Sequence, residues 1–231
     1  MAKKKAVVLL SGGIDSTTTL AIAKSEGYDV YAISFEYGQR HRKELESAKK
    51  IAAYYKARHK IIKLDLSWAK SALTNKKTEI PERELEEIGK KIPSTYVPAR
   101  NIVFLSFALA YAESIGVEKI FIGANARDYS GYPDCRPEFY EIFQQAVKVG
   151  TKSGVEGKTI EISYPLINFT KSEIIKKGVE LKVPYHLTWS CYKGERKACG
   201  KCDSCKLRLK GFREAGVKDP IEYERSLSSF F

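Results

Sequence analysis

No apolar run in this chain of 231 residues approaches the ~20 that a membrane-spanning helix requires, so no contact with a membrane is expected. Internal repeats and low-complexity tracts are missing, and so is the Walker-type loop G-x-x-x-x-G-K-[S/T]. Three histidines, His41, His59 and His186, show no ligand spacing. The basic start MAKKK leads into an apolar run too short for a secretory signal, and a cytoplasmic setting is expected. Acidic residues are the scarcer charge, 28 against 40 basic, for a net charge of +12. Such a surplus suits a polyanion such as tRNA. The lysines are scattered, however, as in Lys49-Lys50, Lys76-Lys77 and Lys176-Lys177, rather than gathered into one arm. A solvated lysine-rich surface accounts for them, and no stable nucleic-acid partner is expected.

What is present is enough for a real core: 43% of the residues are hydrophobic. The length suits one α/β domain with a small appendage. Apolar runs at 5–10, 29–35, 59–66, 119–124 and 159–163 read as strands. Helical patterns occupy 16–26, 38–56, 102–116 and 137–149, the last opened by Pro137. A further helix starts at Thr170, where Glu173 completes a capping box, Phe169 and Ile174 form a hydrophobic staple, and Gly178 is expected to end it. The polar stretch 67–95 lacks a core strand and reads as an insertion or mobile flap. Strands alternating with helices give an open parallel sheet with helices on both faces and ligands at the carboxyl ends of the strands. The division expected is a main domain over 1–185 and a C-terminal region over 186–231 packed on it.

The most informative stretch is AVVLLSGGIDSTTTL, residues 6–20. A buried strand feeds a glycine turn and then a helix, so amide N–H groups and the helix N-terminus form a nest for a polyphosphate. Leu9, Leu10, Ser11, Gly12, Gly13, Ile14, Asp15, Ser16, Thr17, Thr18 and Thr19 make up this nucleotide loop, with hydroxyls as further donors. Asp15 would repel phosphate unless magnesium bridges them or the side chain caps the helix. Lys171 sits in the first turn of its helix, against the dipole, which suggests that it faces a triphosphate.

Four of the five cysteines, Cys191, Cys199, Cys202 and Cys205, follow C-x7-C-x2-C-x2-C. Four thiolates suit a closed structural zinc site, and C-x2-C-x2-C also occurs in iron–sulfur centres. The segment GANARDYSGYPDCRPEFYEIF, 123–143, is dense in turn residues, aromatics and charges after the fourth strand. Tyr129 and Tyr132 belong to it, and an aromatic face there can stack on a planar ring.

SGG-x-D-S after a first strand resembles the pyrophosphate loop of the ATP pyrophosphatase (PP-loop) superfamily. Together with YVPARN at 96–101, DYSGYPDCRPEF at 128–139 and TWSCYKGERKACGKCDSCKLRLKGF at 188–212, it closely resembles the 7-cyano-7-deazaguanine synthase family over essentially the whole chain. The resemblance implies an adenine nucleotide alpha hydrolase-like (HUP) three-layer α/β sandwich with a central five-stranded parallel sheet and a small C-terminal zinc-binding helical region. It implies a ligase that uses ATP and Mg2+, with one structural Zn2+, on 7-carboxy-7-deazaguanine and ammonia, and a homodimer. Asp15, Ser16, Arg100 and Lys171 are then the expected catalytic residues. Arg100, Asn101, Tyr132, Asp134, Cys135 and Arg136 are the expected substrate contacts: Asp134 for the guanine-like edge, Arg136 for a carboxylate or the α-phosphate, and Cys135 as lining. The other enzymatic reading of the same loop is a tRNA-thiolating enzyme.

Overall fold

The computed structural model describes residues 4–40, 42–127, 131–194 and 196–224. Asp128, Tyr129 and Ser130, with His41, lie outside the described residues. Five strands, β1 (Lys5–Leu9), β2 (Asp29–Glu36), β3 (Arg58–Lys63), β4 (Lys119–Phe121) and β5 (Glu161–Ser163), form one sheet in the order β3-β2-β1-β4-β5. Every pairing in it is parallel. The helices between them are α1 (Ile14–Ser25), α2 (Lys43–Tyr54), α3 (Arg100–Ser114), α4 (Pro137–Gly150) and the short α5 (Lys152–Val155). After β5 come α6 (Lys171–Glu180) and α7 (Asp203–Ala215).

The period-two alternation of β1 sorts the layers. Ala6, Val8 and Leu10 pack with Leu20 and Ala23 of α1 and with Ala48, Ile51 and Ala52 of α2. Val7 and Leu9 face the other way, into a cluster with Leu105, Ala108 and Ala112 of α3 and Tyr140 and Val147 of α4. Helices therefore cover both faces of a sheet whose inner strands are largely buried, as a parallel sheet demands. A third cluster joins Ile14 and Ala21 of α1 to Ile174 and Ile175 of α6 and Phe212 of α7. No helix among the described residues is long and apolar enough to cross a membrane.

Two local expectations are corrected. Residues 67–95 have no strand but are not a flap: Ala72, Leu73 and Ile80 are buried in the main cluster. Arg83 also donates to both carboxylate oxygens of Asp203, at 2.9 Å from its amide and 2.6 Å from its guanidinium. Isolated apolar residues at irregular spacing anchor the segment, which is why it shows no periodicity. The capping box of α6 is present at Thr170 and Glu173, but Gly178 lies inside the helix, which runs to Glu180. The Tyr185 ring packs directly against that glycine, so its role is to admit a ring. The cysteine-rich tail shares the main apolar cluster, with Trp189, Cys191 and Cys199 alongside Val7 and Ile120.

Candidate functional site

The order of the strands reverses between β1 and β4, which opens a crevice at their carboxyl ends. A cavity of about 240 Å³ lies there, where one water needs about 10–15 Å³. Its floor is the turn after β1. Gly12 has φ +89°, and a Cβ on it would meet the Glu44 carbonyl oxygen, so only glycine fits. Gly13 caps α1 in an extended conformation. The Ser11 and Ser16 hydroxyls meet at 2.9 Å, and the Ser16 hydroxyl also accepts from the Ser11 amide at 3.2 Å. These bonds shape the turn around the helix N-terminus, where amide donors and the macrodipole favour an anion.

Lys171 reaches across from α6 and donates to both oxygens of Asp15, at 2.6 and 2.8 Å. That contact answers both local puzzles of the sequence. Asp15 does not cap α1, whose cap is Gly13, and Lys171 tolerates the start of α6 because a carboxylate holds it. Both residues line the cavity, so cation and carboxylate sit together beside the N-terminus of α1.

The opposite wall comes from dispersed segments. Ala99, with φ +53°, precedes α3 in the left-handed region and is held by its amide bond to the Tyr96 hydroxyl at 3.1 Å. This turn aims Arg100 into the cavity, where its guanidinium donates to the Tyr37 hydroxyl at 3.2 Å. Phe35 stacks on Phe104 at 4.0 Å between centroids, and both line the same cavity. Tyr132 lines it too, its hydroxyl bonded to Thr95 at 2.8 Å and its ring stacked on Tyr96. Asn101 lines it and donates to the Asp134 carbonyl at 3.1 Å and to the Cys135 sulfur at 3.3 Å. Burial, then the Asp134 charge, pushes the Cys135 thiol up to about 12, so it stays protonated near neutral pH.

The cavity thus gathers Leu9, Leu10, Ser11, Gly13, Ile14, Asp15, Ser16, Arg100, Asn101, Tyr132, Cys135 and Lys171 from the expected set. Six others are elsewhere. Gly12 packs its backbone on α2. Thr17 and Thr18 turn their hydroxyls back onto the carbonyls of Gly13 and Ile14, at 2.7 and 2.9 Å, and Thr19 is fully buried. The helix has begun at Ile14, so residues 17–19 already project toward the core. Asp134 is buried and spends its carboxylate on the Asn101 amide at 3.0 Å, holding the start of α3 instead of facing a ligand. Arg136 is exposed at the N-cap of α4, away from the lining.

Sequence reasoning missed Tyr37, Gln39, Arg40 and Glu44, all of which line the cavity. The signal was available: YGQR follows β2 directly, at the carboxyl end of a central strand. Arg40 is tied to the carbonyls of Thr78 and Lys76, at 2.7 and 3.1 Å, and so fastens the 67–95 segment over the site. Glu44 opens only half-exposed, and burial pushes its carboxyl up to about 7 against the pull of Arg100.

Cys191, Cys199, Cys202 and Cys205 are buried and lie with sulfurs all within 4.8 Å of one another. Zinc–thiolate bonds of ~2.3 Å in a tetrahedron place sulfurs roughly 3.8 Å apart, and Cys199 and Cys205 stand at 3.9 Å. Amides converge as thiolates require: Gly194 and Cys199 donate to the Cys191 sulfur at 3.0 and 3.3 Å. Lys201 and Cys202 donate to the Cys199 sulfur, each at 3.4 Å, across the turn at Gly200. Hydrogen bonds among the four cysteines lower the Cys199 thiol from its ordinary range and raise those of Cys202 and Cys205. The donor set fits a closed four-sulfur metal site, with Cys191 also in the cavity wall.

A family model described as "Queuosine biosynthesis protein QueC" matches residues 5–216. A curated protein of Thermoplasma volcanium named 7-cyano-7-deazaguanine synthase is 58% identical over 223 residues, 96% of this chain and 92% of the relative. One of the same name from Acetivibrio thermocellus is 60% identical over 222 residues, 95% of this chain and 98% of the relative. A solved NMN synthetase from Francisella tularensis covers 94% of this chain and 79% of its own at 16% identity, with a TM-score of 0.49.

Proposed function

The chain belongs to the family of the queuosine biosynthesis protein QueC, and from that premise we propose that it converts 7-carboxy-7-deazaguanine and ammonia to 7-cyano-7-deazaguanine at the expense of ATP. One observation supports the site assignment above the rest. The phosphate-binding turn, the Asp15–Lys171 pair and the guanidinium of Arg100 open into one cavity with aromatic walls.

The chemistry is carboxylate activation. A carboxylate oxygen of the substrate attacks the α-phosphorus of ATP, and pyrophosphate leaves. Amides at the N-terminus of α1, with Lys171 and Arg100, neutralise charge on the phosphates as that bond breaks. Mg2+, when bound with the nucleotide, supplies further charge at the phosphates. Ammonia then attacks the carbonyl carbon, AMP leaves, and the new amine loses its extra proton to give the amide. The amide oxygen attacks a second ATP in the same way. Loss of both N–H protons with departure of AMP leaves the nitrile. One nucleotide site serves both rounds because each round activates the same substrate oxygen position.

Zn2+ in the four-cysteine site would be structural, since four protein ligands leave no open position. A homodimer fits the exposed Ile142, Val149 and Val155, 70–76% accessible on and after α4. Free ammonia, a cytoplasmic setting and the lack of a stable nucleic-acid partner belong to the same reading. The tRNA-thiolating alternative has less support: the cysteine cluster is closed and buried, and Cys135 remains a thiol.

Mass spectrometry of small molecules after incubation with 7-carboxy-7-deazaguanine, MgATP and ammonium tests the proposal. Nitrile, AMP and pyrophosphate are expected in the complete mixture, and no nitrile without ammonium. Metal-replete, folded protein that yields neither amide nor nitrile would refute the substrate assignment.

A further inference from the structure

The charged groups of the cavity wall can be accounted for one by one. Lys171 holds Asp15, Arg40 donates to backbone carbonyls, Arg208 is locked to Asp219, and Arg100 donates to Tyr37. Glu44 is the exception. Its side chain makes no hydrogen bond or ion pair with any described residue, and it lines this cavity. Arg100 lies close enough to affect its charge, yet the two close no ion pair among the described residues. A carboxylate that lines a concave, aromatic-walled site and meets no protein donor keeps its acceptor capacity for a ligand. The arrangement makes sense when a ligand brings the donors.

A carboxylate has two acceptor oxygens side by side and is satisfied best by two adjacent N–H groups. On a planar ring suited to the Tyr37 and Tyr132 walls, that pattern is the 2-amino-4-oxopyrimidine edge, with its ring N–H beside its exocyclic amine. An adenine ring lacks the pattern, because it presents a ring-nitrogen lone pair beside its amine. We propose that the Glu44 carboxylate reads the N–H edge of a guanine-type base, while Arg100, on the same cavity, takes the anionic end of that base. The proposal deepens the function argued above and rests on it. It also gives Asp134's expected task to a different carboxylate, one that faces the cavity.

Isothermal calorimetry without ATP tests it on the full-length, metal-replete protein. The ligands are 7-carboxy-7-deazaguanine and its analogue lacking the 2-amino group. Wild type is expected to bind the amino base about 10–100-fold more tightly, the range set by charge-assisted hydrogen bonds. Glu44→Gln presents an amide donor to a donor and is expected to lose that preference, with ATP affinity unchanged. In turnover assays its KM for the base should rise by a similar factor, with kcat changed far less. Equal binding of the two bases by wild type would overturn the inference without any variant. So would a Glu44→Gln protein that keeps the preference, or one that loses kcat with KM intact, which would instead mark a proton-transfer group. If wild type binds neither base, the functional reading itself falls. If it binds and converts the substrate but shows no preference, only the role of Glu44 falls.

Discussion

Two buried ion pairs tie the C-terminal third of the molecule together, and they are built to opposite ends. Arg208 and Asp219 are sealed, with side chains 1% and 3% exposed. Arg208 donates twice to that carboxylate, at 2.7 and 2.9 Å, and again to the Thr188 hydroxyl, while Tyr223 donates to Asp219 at 2.6 Å. Lys171 and Asp15 are equally close but open onto the cavity, with 9% and 16% of their side chains exposed. The first pair is saturated by protein and holds α7 to the tail. The second faces the place where a polyphosphate would arrive, so its cation can be shared with a ligand. Similar distances therefore mean different things, and what decides is where the remaining faces of the charges look.

The comparison can be broken in four ways. The largest effect is expected from Asp219→Ala, which leaves the Arg208 charge buried and uncompensated. Stability should fall by about 3–5 kcal/mol in denaturant titration, with the ATP affinity of the folded fraction little changed. Lys171→Met should do the reverse. Pyrophosphate release is expected to slow by roughly 10²–10³-fold, about 2.7–4 kcal/mol of transition-state stabilisation, with a smaller change in unfolding free energy. A Lys171→Met protein as unstable as Asp219→Ala and fully active would erase the distinction.

Gly211→Ala sharpens it. A Cβ there would lie 2.3 Å from Cγ of Lys171 and 3.0 Å from Ile175, where α6 meets α7. Overpacking of this kind costs about 1–3 kcal/mol, and the displaced lysine should raise the KM for ATP beyond what the lost stability explains. The smallest effect concerns pH. The Glu44 carboxyl rises in the folded protein from 4.5 to about 7, so the folded state binds the extra proton between those values. Wild-type stability should therefore decline as pH rises through that window. Glu44→Gln should flatten this decline, and above pH 7 should melt a few degrees higher than wild type in parallel scans.

Much of the fold was legible because its signals are local. Alternating and continuous apolar runs located all five strands, and Thr170 with Glu173 located the start of α6. The glycine turn after β1 was legible for the same reason: it is made by backbone, and backbone geometry is written in adjacent residues such as Ser11-Gly12-Gly13. The far wall was legible only where Arg100, Asn101, Tyr132 and Cys135 stand in recognisable motifs. It also draws Tyr37 and Glu44 from either side of the α2 start and Trp189 from the tail, and no spacing links them. Asp134 misled because composition marks a carboxylate without saying which way it turns, and its partner, the Asn101 amide, lies 33 residues upstream. Gly178 misled because a glycine near a helix end signals a stop, while the ring of Tyr185 required it mid-helix.

Three contacts to the glycine turn and the start of α1 come from far downstream. Lys171 meets Asp15, the Tyr185 hydroxyl meets Thr18 at 2.9 Å, and the Trp189 amide donates to the Gly12 carbonyl at 2.9 Å. A ribosome delivers the chain in order, at ~5–20 residues per second, so roughly 10–35 s separate the synthesis of the turn from that of its last partner. The part of the molecule made first therefore waits for the part made last before these contacts can form.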